Sequence, residues 1–304
     1  MLDLFKKTIN KYNLQVVFFN FIFYIFVLLV TLFSEKINPI ISKFFETAIV
    51  NPGMSLLVAL IIFFSYTLVL IIYLYFILVL YNFAVVEKKN IFELANNLFS
   101  KLPSFATLIA IIFLIEIACL AIAVLVGTLI ATFSNYFLPL NFALIVGFVV
   151  IFLLFQYLSL WFLFSPLALV EDNDYNFRAI AKNFVVLKNK SFLTFLKVLL
   201  LDFILFLIFI GLIKILNIPI LLKNQTLSLT QNIILNLFYV FLFFPIYIFY
   251  LGNLWKEIKN KENLEELTTK AKGKAKLVFI LSLIIVFLSI ILFIFFSKFF
   301  QPLI

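Results

Sequence analysis

The amino-acid sequence predicts an all-α protein, an integral membrane helical bundle of about seven transmembrane helices with short cytoplasmic amphipathic helices and a threefold internal repeat. Three observations carry this. The 304 residues are 66% apolar and 12% charged, with 44 Phe and 6 Gly, a balance that leaves too little polar surface for a water-facing domain. Seven apolar runs reach the roughly 20 residues a helix needs to cross about 30 Å of hydrocarbon, where open strands would leave backbone groups unpaired. The basic residues sit in alternate loops between those runs.

The elements follow in order. Met1 to Asn13 carries Lys6, Lys7 and Lys11 ahead of a first span, Leu14 to Phe33. Its apolar run is too long for a signal peptide, and no small-x-small site precedes Ser34, Glu35 and Lys36, so it reads as a retained anchor. A loop through Asn51, Pro52 and Gly53 leads to the second span, Ser55 to Tyr81. Asn90 with Glu93 is then a helix start, and Ile91, Leu94, Ala95, Leu98, Phe99 and Leu102 recur at helical spacing up to Pro103. So short a helix would lie flat at the interface or pack under the bundle.

Phe105 to Phe133 is the third span, Ser134 to Leu140 an uncharged turn, and Asn141 to Val170 the fourth span, with Pro166 near its end. After the acidic turn of Glu171, Asp172 and Asp174, Asn176 opens a second amphipathic helix. Phe177, Ile180, Ala181, Phe184 and Leu187 share one face, and Arg178 and Lys182 another. The fifth span runs from Phe192 to about Leu216 and stops near Asn217 and Pro219. The sixth, from about Thr226 to Trp255, is kinked near Pro245. Asn263 with Glu266 opens the third amphipathic helix, striped by Leu264, Leu267, Thr268, Ala271 and Ala275, and the last span is Leu277 to Phe296.

The three helix starts, Asn90, Asn176 and Asn263, lie 86 and 87 residues apart and read NIFELA, NFRAIA and NLEELT. A span precedes and a span follows each. This gives one transmembrane domain over residues 1–304, with an anchor and loop at 1–54 and span, helix, span repeats at 55–133, 141–216 and 226–297. Two spans per unit keep the orientation, so the repeats are parallel. Of 23 Lys and Arg, all but Lys36, Lys43, Lys214, Lys223 and Lys298 flank the N-terminus and the three amphipathic helices. That asymmetry predicts a multi-pass cell-membrane protein with a cytoplasmic N-terminus, cytoplasmic amphipathic helices and an outside C-terminus.

The formal charge of +9 is therefore topogenic rather than a nucleic-acid patch, and the lipid bilayer is the expected partner. The loop cations, Lys256 to Lys276 above all, are candidates for anionic lipid headgroups or a protein partner at the cytoplasmic helices. Glu257 with Lys261 and Glu266 with Lys270 are spaced as ordinary i, i+4 pairs. With no His and one Cys, the usual zinc sites and His-based triads are excluded. No phosphate-binding loop, nucleophile elbow or carboxylate metal motif is present, so no catalytic, cofactor or metal residue is expected. Cys119 reads as a small buried hydrophobe.

Charges inside spans are the candidate functional residues. Glu116 and Asp202 each lie near mid-bilayer, at matching places in two repeats, and a carboxylate in hydrocarbon is costly enough to mark a site. The bland reading is that each locks helices together through a partner. Gln156, Asn232 and Asn236 are read as interhelical glue, and Lys197 and Lys214 as snorkelling to headgroups.

Pro166, the Ala168, Leu169, Val170, Glu171 exit, and the run Phe177 to Phe184 resemble the loop of a broad group of uncharacterised prokaryotic multi-pass membrane proteins. That group is related to the membrane domain attached to some glycerophosphodiester phosphodiesterases. Its loop carries a serine where Asn183 stands here, and a glycine that none of Lys188, Asn189 and Lys190 supplies. The resemblance implies a fold and no site residues. The functional expectation is a non-enzymatic scaffold or partner-binding subunit whose three cytoplasmic helices form the working surface. The alternative is a transporter or lipid-handling protein that uses Glu116 and Asp202.

Overall fold

The computed structural model describes residues 2–11, 14–48, 52–86, 91–172, 176–215, 229–259 and 264–300, and among these every regular element is helical. In chain order they are α1 (Leu2–Lys11), α2 (Leu14–Ala48), α3 (Pro52–Val85), α4 (Ile91–Leu98) with a 3-10 turn (Phe99–Lys101), α5 (Leu102–Ser134), α6 (Leu140–Leu163) and α7 (Ser165–Asp172). Then come α8 (Phe177–Leu187), α9 (Ser191–Ile215), α10 (Leu229–Phe238), a π-helical segment (Tyr239–Phe243), α11 (Phe244–Ile258) and α12 (Leu264–Phe300).

Six stretches among the described residues are long and apolar enough to cross a membrane, which makes this a multi-pass membrane protein. They are Phe63–Val85, Phe99–Ser134, Leu140–Glu171, Ser191–Lys214, Ile233–Ile258 and Leu264–Ile291. Of the remaining expected span, the described residues hold an apolar helical stretch, Leu14–Val30, within α2.

Helix α8 begins at Phe177, the residue after the asparagine that marks the second repeat. Asn90 and Asn263 lie outside the described residues, as do Asp174, Asn217, Pro219 and Lys261. Asn176 is described, and its side chain makes no capping bond; its backbone has φ 44°. Asparagine is among the non-glycine residues most often found at positive φ.

The repeats end differently. The first passes through the 3-10 turn straight into α5, whose first turn takes Pro103 where a proline is tolerated. The second breaks into a turn over residues 188–190 before α9. The third does not break at all: α12 is one helix of 37 residues, because its junction holds only Gly273 among strong helix formers, and a lone glycine costs about 1 kcal/mol without ending a helix. Two stripe positions also depart from expectation, since Phe99 is 69% exposed and Leu267 42% exposed.

The chain forms two compact units, Met1–Leu102 with Leu201–Leu254, and Pro103–Leu200 with Trp255–Ile304. The division cuts each of the three expected repeats. In the first unit α2 packs on α3, α4, α10 and the π-helical segment. Phe23 stacks on Phe76 with ring centroids 4.6 Å apart, and the Tyr75 hydroxyl donates to the Ala95 carbonyl at 2.7 Å, tying α3 to α4. Asn253 donates to the Thr8 hydroxyl at 3.2 Å. Pro245 removes the N–H that would meet the Phe241 carbonyl, and the helix widens to a π turn just before it, with Phe244 N–H on the Tyr239 carbonyl. The irregularity expected near Pro245 takes this form.

The second unit is built around α8. This short helix packs against α6, α7 and α12, burying Ala179, Ile180, Ala181, Lys182, Asn183, Val186 and Leu187. That face is packed within its own unit. The helix of the fourth span is interrupted by a turn at Phe164, because Pro166 has no N–H for the Phe162 carbonyl. Two carbonyls freed at this end are met by Asn183, whose amide donates to Trp161 at 2.5 Å and Leu160 at 3.4 Å. Asn183→Ala is expected to lower stability by about 1–3 kcal/mol, the cost of stranding buried carbonyls, read as a fall in apparent Tm; an unchanged Tm would remove this bond from the account.

Ion pairs complete the unit. Glu171 on α7 accepts from Trp255 Nε1 at 2.7 Å and from Lys259 Nζ. Glu265 on α12 takes Arg178 and, at 3.5 Å, Lys182, which is 2% exposed. Lys197 pairs with Glu257, rather than snorkelling alone, and Lys270 with Glu266 at 2.5 Å, as its spacing predicts. The α5 and α6 helices meet at Gly127 and Gly147, where a Cβ on either would stand 2.8 or 2.9 Å from the other's carbonyl oxygen.

Candidate functional site

The second unit carries an open cavity of about 1160 Å³, beyond the roughly 300–1,000 Å³ typical of small-molecule pockets. Four pieces of chain wall it. From α5 come Ile115, Ala118, Cys119 and Ile122, one face at i, i+3, i+4 and i+7. The end of α6 adds Leu158, Trp161 and Phe162, placed there by the Phe164 turn and the Asn183 bonds. The end of α8 adds Phe184 and Val185, with Lys188 and Asn189 from the following turn. The rest is one long face of α12.

That face changes character along its length. Lys270 and Lys274 are followed by Val278, Leu281 and Ile285, so charge gives way to hydrocarbon along roughly 22 Å of helix. Ser282 also lines the apolar part, but its hydroxyl donates to the Val278 carbonyl at 2.8 Å and is satisfied within the helix. Lys188 adds a third cation, and no carboxylate lines the cavity. Lys188 and Lys274 make no ion pair with a described residue, in contrast to Arg178, Lys197 and Lys259. The arrangement can take a molecule with an anionic end and a long apolar body.

The carboxylates singled out from sequence stand apart from this cavity. Glu116, on α5, does not line it although Ile115 and Cys119 on either side do. Asp202 is on α9 in the other unit. Both are half-buried, and neither makes a hydrogen bond or ion pair with a described residue, so no helix-locking partner is seen for either. Gln156 and Asn236 make no such bond either, while Asn183 and Glu171, which sequence did not single out, do the tying. Cys119 is buried as expected. Lys270 and Lys274 lie in the basic stretch marked from sequence, but nothing in the sequence placed Lys188 beside them.

No protein-family model matches the chain, and no curated protein or solved structure is similar to it. Nothing in these comparisons links the chain to the membrane domain of glycerophosphodiester phosphodiesterases.

Proposed function

We propose that this protein is a non-enzymatic, multi-pass component of the cell membrane that handles lipid, receiving a single lipid molecule in the cavity of its second unit. The observation that carries this reading is the cavity itself, apolar along α5 and the later turns of α12 and cationic at one end. The positive-inside asymmetry supports a cytoplasmic N-terminus, a cytoplasmic α8 and cationic cavity end, and a C-terminus outside. A scaffold role would need the amphipathic helices to offer their apolar faces to a partner. The face of α8 is already occupied by α6, α7 and α12, which favours lipid handling over that reading.

The test is native mass spectrometry of the full chain extracted gently from its own membrane. One retained lipid per chain is expected, and Glu116→Gln is expected to keep it, because Glu116 does not line the cavity. A stoichiometric protein partner with no lipid would replace this reading with the scaffold. Loss of the lipid in Glu116→Gln would restore the intramembrane carboxylate to the mechanism.

A further inference from the structure

Resting on the lipid reading above, we infer that the cavity selects a phospholipid of net negative charge, its headgroup phosphate held by Lys188, Asn189, Lys270 and Lys274. The argument begins with unmatched charge. Around α8 four cations have acids, Arg178 and Lys182 sharing Glu265, Lys197 with Glu257, and Lys259 with Glu171, while Lys190 donates to the Ile258 carbonyl at 3.3 Å. At the cavity the pattern reverses. Lys188 and Lys274 have no ion-pair partner among the described residues, and only Lys270 has one, the exposed Glu266, a kind of pair that gives way readily. An anion entering here supplies the missing counter-charge.

The apolar wall identifies the source of that anion. Free phosphate would fill the lysine end and leave Ile115, Ile122, Val278, Leu281 and Ile285 without an occupant. An acyl chain continuing from the phosphate covers them. Ile122 and Leu281, at 37% and 48% exposed, stand at the edge of the wall, where a chain can pass between cavity and bilayer.

The headgroup follows from the same charges. A choline or ethanolamine group carries a cation into a mouth that already holds three lysines, whereas a glycerol or bare phosphate headgroup does not. Lysine suits this task as a point charge on a flexible stem, able to follow a phosphate without a fixed fork geometry. Asn189 adds neutral donors beside it.

Trp161 lines the cavity, and the chain's other tryptophan, Trp255, does not, so quenching by acyl-chain bromine reports occupancy. The full-length protein is reconstituted into vesicles in which a small fraction of either phosphatidylglycerol or phosphatidylcholine carries brominated chains. Brominated phosphatidylglycerol is expected to quench Trp161 at a mole fraction at least about fivefold lower than brominated phosphatidylcholine, each cation contributing about fivefold in affinity. The preference should vanish in Lys188→Gln with Lys274→Gln and persist in Lys188→Arg with Lys274→Arg. Trp161→Phe should abolish the specific quenching. Equal quenching by the two lipids, or a preference that survives the glutamine pair, overturns the headgroup assignment and leaves the lipid cavity standing. No Trp161 quenching by either lipid overturns both.

Discussion

Gly147→Leu is expected to cost about 3 kcal/mol or more and to separate α5 from α6. At their crossing a Cβ on Gly147 would lie 2.6 Å from the Ala131 Cβ and 2.9 Å from the Gly127 carbonyl oxygen, while one on Gly127 would lie 2.2 Å from Ile151 Cγ1. Two of these obstacles are backbone or a Cβ, which cannot swing aside. Inserting a branched side chain must therefore push the helix axes apart, and overpacking of this kind costs about 1–3 kcal/mol or more even in forgiving cores. In a bilayer the loss is harder to recover, because lipid is as apolar as leucine and helix association depends on close packing itself. Ala131 and Ala143 continue the seam, each four residues from a glycine, in the small-xxx-small pattern of such interfaces. The measurement is apparent Tm in detergent, with Gly211→Leu as control, since nothing lies within 4 Å of a Cβ there. Equal losses in the two variants would show that added bulk, not the crossing, is responsible.

Much of the architecture could be read from the chain because it is written locally. The apolar runs give spans, Asn176 stands at the start of α8, and Pro166 and Pro245 stand beside an interruption and a π-helical widening, each removing one backbone donor. What could not be read depends on residues far apart. An apolar stripe on α8 says that something covers it, but not that α12, eighty residues on, does so. The continuity of α12 was hidden because the repeat suggested a break that its own residues do not make. Glu116 and Asp202 were conspicuous as charges in hydrocarbon, yet periodicity near a helix middle does not tell which way one residue faces, and Ile115 and Cys119 face the cavity instead. Lys188 and Lys274 looked like ordinary topogenic charge. Only folding, by bringing Lys188 to the same cavity as Lys270 and Lys274, distinguishes them from Lys272 and Lys276.

Glu171→Ala is the second substitution with a large expected effect, about 3 kcal/mol. Its carboxylate accepts from the indole N–H of Trp255 and from Lys259, and Trp255 is wholly enclosed with its ring stacked 6.0 Å from that of Phe164. Truncation leaves the indole donor buried without a partner, a penalty of about 1–3 kcal/mol, and strips a half-buried ammonium of its counter-charge. Glu171→Gln keeps an acceptor for the indole and loses only the charge, so it should cost about 1 kcal/mol. The decisive comparison is Glu171→Ala in a Trp255→Phe background. If the indole bond is the main term, the alanine costs at least about 1 kcal/mol less there, and equal costs in the two backgrounds would assign the loss to Lys259. The same substitution should weaken lipid retention without touching the cavity, because Phe164 is the turn that ends α6, and α6 ends in the Trp161 and Phe162 wall. A variant that loses stability but keeps its lipid would separate the brace from the site.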